Sequence, residues 1–131
     1  MSRRELREQI FKLLFRVEFN SLEDMPEQEC LFFEDEEAAQ EKDADYISDK
    51  YHMIQQKLSE IDQQLNERTQ GWDTARMSKV DLTILRLAVY EIHYDDSVPT
   101  GVAINEAVEL AKKFGQDASP GFVNGILAKF A

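Results

Sequence analysis

A single cysteine, Cys30, rules out an intrachain disulfide and any cysteine-based metal knuckle in this chain of 131 residues. Glycine and proline are scarce, five and three respectively, and no glycine precedes Gly71. Such a small share of turn-forming residues argues against a β-sandwich or barrel and for helices. No apolar run approaches the roughly 20 residues that span a bilayer, and the start, Arg3-Arg4-Glu5-Leu6-Arg7, has no signal-peptide character. The two histidines, His52 and His93, stand alone, without the spacing that holds a metal. There is no glycine-rich phosphate loop and no nucleophile elbow. These gaps lead us to expect no enzyme, no cofactor, no metal and no small-molecule substrate. The expected location is the reducing cytoplasm, away from any membrane.

What is present suits one domain over residues 1–131, with 43% hydrophobic residues to build a core. The formal net charge of -11 seems at first to exclude nucleic acid. Its distribution says otherwise. Residues 1–20 carry five basic side chains (Arg3, Arg4, Arg7, Lys12, Arg16) against three acids. Residues 21–49 hold twelve acids and only Lys42, so this acidic variable segment contains the whole excess. Fields are screened over about 8–10 Å in physiological salt, so a local basic site survives a global acidic balance.

Apolar spacing predicts a first helix over about 3–19, with Leu6, Ile10, Leu13, Leu14 and Val17 on one face. Across 21–43 we expect one short helix and a solvated loop. Ile47, Tyr51, Ile54, Leu58, Ile61 and Leu65 then form a stripe with four-three spacing, suited to packing within a helical bundle. Gly71 is the expected stop, with Trp72 plugging the junction after it. Ser78 and Asp81 have the spacing of a capping box. The helix they open, through Val80, Ile84, Leu85, Leu87, Ala88, Val89 and Ile92, is apolar over most of its circumference and should be central. Another helix is expected over 102–114, with Ile104, Ala107, Val108 and Ala111 inward and Gly115 as its stop. Ser119-Pro120 should cap and open a last helix, whose inward face is Val123, Ile126, Leu127 and Phe130. The fold class is therefore all-α, a single-domain bundle of six or seven helices.

At 100° per residue, Phe11 and Phe15 project away from the first helix's core stripe, on the side of Arg4 and close to Arg7. Two readings are open: another helix of the same domain buries one or both phenylalanines and the arginines are solvated, or the exposed aromatics beside arginines form a patch for a protein or nucleic-acid partner. Phe122 and Lys129 lie on the flank of the last helix, beside Gly121 and Gly125.

The stretch Gly101-Val-Ala-Ile-Asn-Glu-Ala-Val-Glu-Leu-Ala-Lys-Lys-Phe-Gly115, followed by Phe122-Val-Asn-Gly-Ile-Leu127, closely resembles the C-terminal signature of the NusB family. Val80-Asp-Leu-Thr-Ile-Leu-Arg-Leu-Ala-Val-Tyr-Glu-Ile92 resembles the helix before it, and the arginine-rich start also fits. The resemblance implies a helical transcription antitermination factor. Such a factor binds boxA-like single-stranded RNA of nascent ribosomal RNA operon transcripts with NusE, a small-subunit ribosomal protein. It joins other Nus factors on the RNA polymerase elongation complex and suppresses premature termination. Carried over by position, the resemblance implies RNA contacts at Arg3, Arg4, Arg7, Lys112, Lys113 and Phe122. It implies NusE contacts at Phe15 and Asp81, and the neighbouring Phe11 of the same patch joins them.

The chain departs from the family pattern in places. Glu5 interrupts the arginines, Phe15 lacks the usual tyrosine hydroxyl, and Ala118 replaces an acid that some members use on RNA. The basic tail of some members is not seen before Ala131. These departures imply weak RNA binding without NusE. One competing expectation is a protein adaptor that has lost RNA binding. Another is a relative of the N-terminal module of ribosomal RNA cytosine methyltransferases, which the length disfavours. Residues 21–49 are expected to be a solvated surface pointing away from RNA; the sharper alternative is that Glu34-Asp35-Glu36-Glu37 competes with RNA for Arg3, Arg4 and Arg7 until NusE binds.

Overall fold

Burial in this computed structural model follows the apolar stripes of the sequence, and it divides the chain into two compact units, Met1–Gln55 and Gln56–Ala131. The structure describes residues 1–35 and 41–131. Among them are seven α-helices, three short 3-10 turns and no strand, an all-α fold as the sequence implies.

The first unit contains α1 (Arg3–Phe15), a 3-10 turn (Arg16–Glu18), α2 (Met25–Asp35) and most of α3 (Glu41–Gln56). The first helix is shorter than its apolar spacing suggests, because its last turn tightens to 3-10 geometry at Arg16. Ile10, Leu13 and Leu14 of α1, Met25 and Phe32 of α2, and Ile47, Tyr51 and Ile54 of α3 are almost fully buried. Polar contacts fix the crossings. The Arg16 Nη1 donates to the Gln28 carbonyl at 3.1 Å, and its guanidinium lies 5.3 Å from the centre of the Phe32 ring. Glu29 of α2 accepts from the Ser48 hydroxyl at 2.8 Å and lies 2.9 Å from the His52 Nε2 of α3. Burial, with the Glu29 charge adding to it, pushes the Tyr51 hydroxyl up to about 12, so it stays protonated. The segment 21–49 thus holds the one short helix expected, α2, and the start of α3, which begins at Glu41, a little before the expected end of the loop near Asp43. Glu36 and Glu37 of the acidic run lie outside the described residues.

The second unit contains α4 (Leu58–Arg68), a 3-10 turn (Thr74–Arg76), α5 (Lys79–Tyr94), α6 (Thr100–Phe114), α7 (Ser119–Leu127) and a closing 3-10 turn (Ala128–Phe130). The long stripe from Ile47 to Leu65 does not form one helix. Lys57 leaves helical geometry (φ -106°, ψ 3°) and separates α3 from α4. Ile61 and Leu65 nevertheless remain fully buried.

The helix expected to be central is so. In α5, Leu82, Ile84, Leu85, Leu87, Ala88 and Val89 are buried, and α4, α6 and α7 pack on it. α6 turns small side chains inward, Ala103, Ala107 and Ala111 with Leu110, which lets its neighbours approach closely. Ile104 and Val108, expected inward, are only half-buried at the edge of that face. Arg86 of α5 grips the Asp62 carboxylate of α4 with two hydrogen bonds, 2.9 and 2.7 Å.

The two helix junctions differ from expectation. Helix α4 ends at Arg68, not at Gly71, and Gly71 instead takes the left-handed conformation (φ +82°) in the turn that follows. Trp72 does not plug this junction, being 55% exposed. Ser119 is not the cap of α7 but its first residue, and Ala118 precedes it as the N-cap. The Ser119 side chain is buried and turns back, its Oγ accepting from the Gln116 N–H at 3.0 Å. That closure requires Gly115. A Cβ there would lie 2.6 Å from the Ser119 Cβ and 2.8 Å from the Ala111 carbonyl oxygen. Neither group sits on a flexible side chain that can swing aside.

Gly115→Ala should therefore cost about 1–3 kcal/mol of stability through overpacking. Gly101→Ala, where a Cβ meets open space, should cost nothing. Denaturant unfolding of both variants checks this, and equal stabilities would contradict the role given to Gly115.

Candidate nucleic-acid interface

The start of α1 is set by a complete capping box. Ser2 has extended backbone geometry, and its Oγ accepts from the Glu5 N–H at 3.1 Å. The Glu5 carboxylate accepts in return from the Ser2 N–H at 3.0 Å. The sequence shows this signal in Ser2-Arg-Arg-Glu5, where attention to charge treats Glu5 only as an interruption. The hydrogen bonds from Ser2 hold the Glu5 carboxyl below its ordinary range, so it stays ionised and favourably placed at the positive end of the helix. Arg3 and Arg4 consequently occupy the first two helical positions, both exposed, and Arg7 follows one turn on, half-buried. Arg4 and Arg7 already have interaction partners within the chain.

The aromatic part of this patch divides between the two expectations. Phe11 is not exposed; only 4% of it reaches solvent. Its ring stacks with Phe15 at 6.1 Å between centroids, and Phe15 meets Phe19 edge-on at 5.0 Å. These three rings, four residues apart, grade from buried Phe11 through half-buried Phe15 to Phe19, which is 60% exposed and lies beside exposed Leu22 in sequence. The accessible apolar surface thus sits one turn further along than Phe11. Its signal was the continued spacing of 11, 15 and 19.

In the second unit, Ser78 caps α5 as expected, its Oγ accepting from the Asp81 N–H at 3.1 Å. Asp81 is half-buried, and its Oδ1 has no hydrogen-bond partner among the described residues, so that oxygen does not return the bond. Lys112 and Lys113 are exposed on the last turn of α6, where positive charge also suits the helix dipole. The Lys112 Nζ lies 3.2 Å from Glu109, and the Lys113 Nζ lies 5.5 Å from the centre of the Phe114 ring. Phe122, half-buried on α7, meets Trp72 at 6.0 Å with the ring planes inclined by 72°. Trp72 is the residue that sequence reasoning placed wrongly. The structure groups the first arginines with the phenylalanine ladder in one unit, and Phe122 with Trp72 in the other.

His93, at the end of α5, bonds through Nδ1 to Gln64 and packs against Tyr94 and Phe130. Burial first, and the Arg68 charge second, depress its basicity. No group of carboxylates, histidines or cysteines among the described residues could hold a metal ion. No helix among them is long and apolar enough to cross a membrane.

Comparison with known proteins gives a consistent result. A family model described as NusB family matches residues 4–131. A protein named transcription antitermination protein NusB, from Agathobacter rectalis, is 50% identical over 131 residues, covering the whole of both chains. The solved NusB structure from T. maritima is 36% identical, covers 100% of this chain and 91% of its own, and superposes with a TM-score of 0.87. The NusB fold also appears in a crystal structure of antitermination factors NusB and NusE with dsRNA. That chain is 24% identical, covers 98% of this one and 94% of its own, and has a TM-score of 0.80.

The capping box yields a prediction. Glutamine can serve in place of glutamate at that position. Glu5→Gln should therefore keep α1 intact while removing one negative charge beside Arg3 and Arg4. RNA binding should strengthen by about two- to fivefold at low ionic strength and lose most of that gain at high salt. Titration across salt checks this, and weaker or salt-independent binding would contradict it.

Proposed function

The chain belongs to the NusB family, and from that premise we propose that it is a transcription antitermination factor that binds boxA-type RNA of nascent ribosomal RNA operon transcripts together with NusE. The complex then joins other Nus factors on the RNA polymerase elongation complex and suppresses premature termination. The observation that carries this reading is the pair Arg3 and Arg4, held exposed on the first turn of a doubly capped helix. There, guanidinium groups can meet phosphates while backbone N–H groups and the helix dipole add positive potential. Arg7, Lys112 and Lys113 extend the phosphate-binding set, and Phe122 supplies an aromatic contact to a base.

NusE meets the Phe15–Phe19 surface and Asp81. Phe11 supports this surface from beneath. Asp81 keeps acceptor capacity at the start of α5, suited to a basic group on NusE. No step of this function requires bond chemistry. Its place is the cytoplasm, with the transcription machinery, and residues 1–131 act as one functional module.

One titration tests the reading: boxA-like RNA against the chain with and without NusE, over a range of salt. Binding should be tighter with NusE and weaken with salt, from displaced counterions. Arg3→Ala with Arg4→Ala should flatten the log–log salt slope by about 1.4, at roughly 0.7 per lost phosphate contact on a single strand. Phe19→Ala should weaken NusE binding about tenfold and leave the slope unchanged. If NusE binds but RNA does not in either case, the protein is an adaptor only.

A further inference from the structure

Trp72 is the only tryptophan in the chain, and a tryptophan that is 55% exposed is uncommon in a folded protein. Its exposure does not come from a loose backbone. The Trp72 N–H donates to the Thr69 carbonyl at 3.2 Å. Thr69 is itself buried, and its hydroxyl bonds the Leu65 carbonyl at 2.7 Å and meets the Trp72 carbonyl. Gly71 supplies the left-handed turn that no other residue adopts cheaply. The Arg76 side chain then closes on the Gly71 carbonyl at 3.4 Å. The indole is therefore held out from a fixed turn and braced on one side by Phe122. With the two ring planes inclined by 72°, the contact joins an edge to a face and leaves aromatic face uncovered.

The surroundings select the occupant. Two cations are bonded to the backbone of this turn and the residue before it: Arg76 on the Gly71 carbonyl, and Lys129 with its Nζ 3.1 Å from the Arg68 carbonyl. The one acid within the turn, Asp73, is engaged in accepting from the Arg76 N–H. Gly121 and Gly125, flanking Phe122 on α7, have open space where a side chain would stand. An exposed aromatic face on a turn that also holds two cations, next to bare helix backbone on α7, suits a base carrying its phosphate. An apolar peptide would instead need an apolar rim.

We propose that Trp72 and Phe122 form a stacking platform for one unpaired nucleobase of the bound RNA, with Arg76 and Lys129 placed for its flanking phosphates. This rests on the RNA-binding reading above and adds to it the residue that makes the principal stacking contact. Trp72 is a binding residue that clasps a single-stranded portion of the ligand, so duplex RNA cannot satisfy it.

The lone indole gives the test its own reporter. A single-stranded boxA-like RNA is titrated into the chain with NusE present, and binding is followed by anisotropy of a label on the RNA. Tryptophan emission is read from the same samples and corrected by the same titration of Trp72→Phe. The proposal expects quenching that tracks binding. It also expects about tenfold weaker affinity for Trp72→Ala, with most affinity retained by Trp72→Phe. A duplex of the same sequence should quench little. If RNA binds by anisotropy while Trp72 emission and Trp72→Ala affinity stay unchanged, the platform is wrong and the RNA-binding reading stands. Equal quenching by the duplex also overturns the platform. If no RNA binds at all, both fall.

Discussion

A helix that is apolar around most of its circumference must be covered on nearly every side, and α5 imposes that constraint on the second unit. Leu82, Ile84, Leu85, Leu87, Ala88 and Val89 leave little of its surface that water can wet. α4, α6 and α7 answer by turning their own apolar faces toward it, and α6 does so with alanines that permit close approach. The placement of functional groups follows from that coverage. Because Val123, Ile126 and Leu127 of α7 must point inward, Phe122 is left on the flank, where Trp72 can meet it. Because Gly115 lets Ser119 close tightly on the end of α6, Lys112 and Lys113 stay at an exposed helix end.

α1 solves a different problem with the same economy. Its buried residues, Ile10, Phe11, Leu13 and Leu14, all lie in the second half of the helix, which frees the first two turns for charge. The capping box gives Glu5 a structural use in the middle of an arginine cluster. Its negative charge sits where the helix dipole favours it, while the neighbouring guanidinium groups remain exposed. The net charge of -11 arises in 21–49, and much of that segment is now seen as helix with a defined buried face, including Met25, Phe32 and Ile47. A global acidic balance and a basic binding end are thus compatible in one chain.

Much of this is legible in the sequence alone. The central helix and the inward face of α7 follow from periodicity, because burial of a long apolar face dominates local choice. The Ser78 cap follows from its capping-box spacing, and scarce glycine and proline support the all-α class. Features that depend on tertiary approach did not follow. Nothing local marks Lys57 as a break, for neither glycine nor proline stands there. Ser119 has the look of a cap, yet the close contact with Gly115 turns its hydroxyl back to the Gln116 N–H. Helical projection put Phe11 off the stripe of its own helix, and a helix wheel cannot see coverage from elsewhere. Trp72 follows the expected stop at Gly71 and so reads as the plug of that junction, yet its backbone turn leaves it exposed. The arginines at the start needed only the sequence.

The central claim is that RNA meets the first turn of α1 and the flank of α7, and photo-crosslinking tests it most directly. A boxA-type RNA carrying 4-thiouridine at successive positions is irradiated in complex with the chain and NusE, and the linked peptides are identified by mass spectrometry. The account predicts crosslinks concentrated in the peptides that contain Arg3–Arg7, Trp72 and Phe122. Crosslinks confined to the acidic segment 21–49, or found only on NusE while this chain remains in the complex, would contradict it.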